Sequence, residues 1–148
     1  MNQPSRSVRF TFYVNRFVFA GIIVLLFLEP RLLEIYCHYR YLSLNEQLSV
    51  TGAFYPCAAA ALAALWHLDR MLHNILNEQV FISENVTHIR WVRLCCACVS
   101  LFCIVPSYFY PPMIFLVIIM GFLFLVVNVV CQVFKAAIEI REENDLTI

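Results

Sequence analysis

Few side chains in this sequence could carry chemistry. The most pointed is Glu29, a carboxylate at the end of the apolar run FVFAGIIVLLFL (Phe17–Leu28). An ionisable group within a membrane span is a functional candidate by default, because hydrocarbon penalises charge. Arg31 stands two residues on, across Pro30. The competing reading places this pair among headgroups, at the end of a short helix that can shift outward. Asn128 and Gln132 lie four apart in an otherwise greasy stretch, on one face of a helix. Amides there bond a neighbouring helix, worth about 0.6–2 kcal/mol, or touch a substrate; the first is the preferred reading.

Cys95-Cys96-x-Cys98 with His88 is the nearest approach to a metal motif. A structural zinc site needs four converging ligands, and adjacent cysteines diverge on a helix so that only a subset could converge; no metal and no cofactor is assigned. The thiols read as small hydrophobes, with reversible acylation of Cys95 or Cys96 as an alternative. His67 and His73 flank Asp69 and Arg70 as a solvated interfacial face. Seven cysteines, an odd number spread along the apolar runs, argue against a disulfide framework. G-x-S-x-G, a phosphate-binding glycine loop and H-E-x-x-H are all absent, so the sequence supports no enzyme class.

The elements that position these groups follow from composition. The chain is 62% hydrophobic and 14% charged, against about 45–50% and about 25% in soluble domains. Its formal net charge is zero, which gives no reason to expect direct nucleic-acid binding. A helix needs about 20 apolar residues to cross a bilayer. Segments from Trp91 to Tyr108 and from Met113 to Phe134 provide this, joined by YFYPP (Tyr108–Pro112), too short a link for anything but antiparallel neighbours. A further segment near Ala53–Leu68 carries six alanines from Ala58 to Ala64, small side chains that let helices approach closely in lipid. The first segment, Phe17–Leu28, is short and must draw in its flanks, with Arg16 snorkelling to the headgroups. Glu29-Pro30-Arg31 stands where a signal-peptide cleavage site would need small residues, so the segment is read as a retained span.

The expected fold is all-α: an integral membrane bundle of four transmembrane helices in a single domain, at about 13–33, 53–76, 84–108 and 112–143. Arg6, Arg9, Arg16, Arg70, Arg90, Arg93, Lys135 and Arg141 fall on one side, and only Arg31 and Arg40 on the other. By the positive-inside rule both termini are cytoplasmic. Trp66 and Trp91 mark the inner interface, and Tyr36, Tyr39, Tyr41, Tyr108 and Tyr110 the outer one. Glu34–Thr51 reads as a short polar outer loop. In the inner loop, Ser83 reads as the N-cap of the third helix, with Glu84 complementing its dipole.

That inner loop, VFISENVTHIRWV (Val80–Val92), and the terminal REENDLTI (Arg141–Ile148) resemble the bacterial family catalogued as domain of unknown function 2975, small four-helix inner-membrane proteins. The family's loop has a phenylalanine, a Ser/Thr/Pro position, Glu-Asn and a basic helix start, matched here by Phe81, Ser83, Glu84, Asn85 and Arg90. Its chains commonly end on an acidic segment and Leu-Thr-Ile, as Leu146, Thr147 and Ile148 do. A glycine often precedes the phenylalanine; this chain has Asn77-Glu78-Gln79-Val80 instead, so its turn is shaped differently or its helix continues further. The resemblance implies localisation in the bacterial inner membrane and, because members are often encoded beside a helix-turn-helix regulator, a cytoplasmic regulator as partner. It implies no activity.

The functional expectation is a non-enzymatic protein of the lipid bilayer that binds a partner, a regulator or another membrane protein, through its cytoplasmic loop and tail. Phe81, Glu84, Asn85, Glu142 and Glu143 are the contact candidates, or the members of a loop–tail clasp. The alternative is a small homo-oligomeric transporter or channel using Glu29.

Overall fold

A computed structural model describes residues 6–41, 43–77 and 79–145. Four helices follow in order: α1 (Arg6–Arg40), α2 (Leu44–Leu76), α3 (Ser83–Phe109) and α4 (Met113–Asp145). Each is long and apolar enough to cross a membrane. Together they make a four-helix membrane protein with a thin core and a greasy exterior. Phe17 is 80% exposed and Phe27 82%; side chains of this kind need lipid around them, because water would drive them into contact. α1 approaches α2, α2 approaches α3 and α3 approaches α4; among the described residues no other helix pair comes into close backbone contact. Small buried side chains allow the approach of α2 to α3. Ala53 and Ala58 are buried on α2, Val99 and Cys103 on α3, and the Cys57 and Cys103 sulfurs lie 3.6 Å apart. Between α3 and α4, Ser100 Oγ donates to the Val117 carbonyl at 3.2 Å, beside Gly121.

The helices run longer than expected, and the outer loop is the main correction. Glu34–Thr51 is not a loop: α1 continues to Arg40 and α2 begins at Leu44. Tyr41 takes a left-handed conformation (φ 49°), and its N–H returns to the Cys37 carbonyl, which ends α1 as an αL cap does. Ser43 then starts α2. Its hydroxyl accepts from the Glu46 N–H, and the Glu46 carboxylate accepts from the Ser43 N–H at 2.7 Å. This capping box was present in the sequence as Ser43-x-x-Glu46, and it satisfies two orphan donors reciprocally. The polar composition of this segment suggests a loop. Polarity at a membrane surface does not oppose helix; it only marks where hydrocarbon ends.

Prolines 30, 56 and 106 lie inside helices. Each removes one backbone N–H, a loss that membrane helices tolerate when neighbours re-satisfy the freed carbonyl. At the turn between α3 and α4, Pro111 and Pro112 precede Met113, and the carbonyls of Tyr110, Pro111 and Pro112 each accept from the residue three on. Proline fits there because the first helical N–H groups have no partner in any case. The Tyr36 hydroxyl meets that of Tyr110 at 2.6 Å, tying the far end of α1 to the α3–α4 turn and placing both short turns at one end of the bundle.

Ala58→Leu is expected to lower the thermal midpoint of the detergent-solubilised protein, by about 1–3 kcal/mol of overpacking. Ala59→Leu, on the exposed side of the same turn, is expected to leave it unchanged.

Candidate functional site

The loop between α2 and α3 is built around one side chain. Asn85, in the first turn of α3, is fully buried. Its Nδ2 donates to the Gln79 carbonyl at 2.9 Å and to the Val80 carbonyl at 2.8 Å. Its Oδ1 accepts from Asn74 Nδ2 at 3.0 Å. One amide thus holds the end of α2, the loop and the start of α3. Asn85 cannot touch a partner, so its place among the contact candidates is corrected: it shapes the loop. Ser83 is corrected too. The N-cap of α3 is Ile82, with no side-chain cap bond, and Ser83 is the first helical residue. Asn85 has taken over the ordering of the loop that a capping hydroxyl would otherwise share.

The remaining candidates lie on the outside of this frame. Phe81 is 43% exposed, its ring 6.1 Å from that of Phe134 on α4. Glu84 is exposed and one turn from His88, 3.7 Å from its Nε2. Glu142 and Glu143 are exposed near the end of α4. Leu146, Thr147 and Ile148 lie outside the described residues, as does Glu78. Beside Phe81 a groove of about 440 Å³ separates α3 from α4, lined by Ser83, Thr87, Arg90, Lys135, Ile138 and Glu139. Beneath it Val86, Ile89 and Cys131 form a small buried cluster, closed by Met71, Val127, Phe134 and Ile138.

The polar groups of the spans form interhelical ties. Asn128 Oδ1 accepts from Arg93 at 2.6 Å, so this amide joins α4 to α3; Gln132 is exposed, and the two do not act together. In the sequence Arg93 is recognisable only as an inner-side charge. Its spacing from α4 could not be known before α3 and α4 were in register. Asn15 Nδ2 donates to the Leu65 carbonyl at 3.1 Å, and Arg16 pairs with Asp69 at 3.2 Å, both linking α1 to α2. His67 and His88 meet through their Nδ1 atoms at 3.0 Å, with His67 stacked on Trp91 at 5.5 Å between centroids. His67 is therefore part of an α2–α3 contact rather than of a solvated face, whereas His73 is exposed. Glu29 is buried within the bundle (8% exposed). Its Oε2 accepts from the Tyr55 hydroxyl at 3.2 Å. Tyr55 carried a sequence signal that went unused: a phenol in hydrocarbon needs a partner, and the facing helix offers one. All seven cysteines are free thiols. Among the described residues no three His, Cys, Asp or Glu side chains gather as a metal-ion set.

The model of the family described as protein of unknown function, DUF2975, matches residues 27–148. The chain belongs to that family. The match takes in the Asn85-centred loop, Glu29 and Tyr55, and leaves the first 26 residues outside it. No curated protein and no solved structure matches the chain, and the DUF2975 membership brings no activity with it.

Asn85→Ala would leave the Gln79 and Val80 carbonyls and the Asn74 amide without their partner. The expected cost is about 3 kcal/mol, since each buried group left unmade costs about 1–3 kcal/mol. The same substitution should expose the loop to limited proteolysis near Gln79. A thermal midpoint and cleavage rate equal to wild type would count against the role given to Asn85.

Proposed function

We propose that this DUF2975 protein is a non-enzymatic, multi-pass protein of the bacterial inner membrane that docks a partner at the bundle end carrying the α2–α3 loop and the end of α4. The observation that carries this reading is the loop itself. Its backbone is held from within by Asn85, while Phe81 and Glu84 are left facing out. A surface ordered in advance loses little entropy on binding. The adjoining groove offers Arg90, Lys135 and Glu139 beside apolar Ile138, a mixture suited to a protein helix or loop rather than to a small apolar ligand. Eight of the ten basic residues belong to this side of the bundle, which supports a cytoplasmic orientation. A cytoplasmic helix-turn-helix regulator or another membrane protein fits as partner. Glu142 and Glu143, one helix turn beyond Glu139, extend the same surface.

The transporter alternative rests on the buried Glu29. The neighbouring space inside the bundle, which shares Leu25 and Phe54 with the cavity Glu29 lines, is bordered by apolar side chains such as Ile22, Val99 and Leu116 and by the weakly polar Cys57 thiol, with no charged or amide group along it. That lining favours partner docking over conduction through one chain.

Photo-crosslinking amino acids placed at positions 81, 142 and 41 in cells that carry the protein natively would test this. Positions 81 and 142 are expected to give one and the same adduct, lost on Glu84→Arg with Glu142→Arg while the chain stays in the membrane. Position 41, at the opposite end, should give none. An equal adduct from position 41, or none from 81 and 142, would overturn the proposal.

A further inference from the structure

Glu29 has less company than a buried carboxylate needs. Tyr55 satisfies Oε2, but Oε1 is buried without a hydrogen-bond partner. Among the described residues no basic side chain is within ion-pair distance of it, and Arg31, two residues on, is exposed. Keeping such a group in a span is expensive, and one tyrosine hydroxyl offsets only part of that cost.

The carboxylate lines a cavity of about 550 Å³ between α1 and α2, within the range of small-molecule sites. Its other walls are apolar or aromatic: Leu32, Leu33 and Val50 on the aliphatic side, Tyr36, Tyr39 and Phe54 on the aromatic side. The contents of such a space can be sorted by charge. A neutral hydrocarbon chain would leave Oε1 unmatched, and an anion would be repelled by it. A cation with an apolar body satisfies the whole wall: its charge faces Glu29, ring faces attract it further, and its body removes apolar surface from contact with water or headgroups.

We propose that this cavity is a binding site for a lipophilic organic ammonium ion, with Glu29 as counter-ion. Tyr55 is a positioning residue, holding Oε2 so that Oε1 is the oxygen left to the ligand. The site lies at the opposite end of the bundle from the partner-docking surface and stands independently of it.

Isothermal titration of the purified full chain with 4-phenylbutylammonium tests the assignment, with 4-phenylbutanol and 4-phenylbutanoate as neutral and anionic controls of the same body. Saturable binding of the ammonium ion alone is expected. Glu29→Gln, nearly the same shape, should weaken it about tenfold or more, as loss of a buried charge partner does. Leu32→Trp, which narrows the cavity from its exposed wall, should weaken it with Glu29 intact, so the site can be judged even if the glutamine variant fails to purify. Equal affinity for the alcohol, undiminished binding by both variants, or no saturable binding to wild type would overturn the proposal.

Discussion

A backbone amide in hydrocarbon has no water to bond, and everything else in this molecule is arranged around that requirement. Chain that crosses must be helical, so the four apolar stretches become α1 to α4, and among the described residues irregular backbone is confined to 41, 43, 77, 79–82 and 110–112. The exterior is then free to be greasy. Without a water-driven force between helices, packing falls to small side chains and hydrogen bonds. That is why the core is thin and its buried members, such as Ala53, Ala58, Cys103 and Cys131, are mostly small.

The polar groups within the helices are few, and several of them join neighbouring helices. Asn15, Arg16 and Asp69 tie α1 to α2 at the end carrying the termini; His67 and His88 tie α2 to α3; Arg93 and Asn128 tie α3 to α4. Asn85 alone organises a loop. Glu29 differs from these in being a buried carboxylate with one oxygen unpartnered, no cation beside it among the described residues and a cavity along its side. The protein therefore has two distinct places of interest at opposite ends, a pre-shaped surface and an under-satisfied charge.

The spans were legible because hydropathy is a property of single residues summed over a window. The YFYPP turn was legible because two prolines and a lack of length leave one geometry. The α1–α2 turn was legible in principle through Ser43-x-x-Glu46, and was obscured by polar neighbours that suggested a loop. Asn85 drew notice as part of a motif, but its burial depends on where Gln79 and Val80 pass, a matter of loop path rather than of spacing. The same holds for Arg93 with Asn128 and for Glu29 with Tyr55. Each pair is separated by many residues and meets only once helix register is fixed, so one chain read in order gives the members without the bond.

Thiol labelling of single-cysteine chains in intact cells, on a background lacking the native cysteines, tests the four-rod arrangement most directly. Cysteines at Tyr41 and Pro111 should react with a membrane-impermeant reagent from one side, and cysteines at Gln79 and Glu142 only from the other. Labelling of position 41 from the same side as position 79 would contradict the account, because α2 could not then cross the membrane.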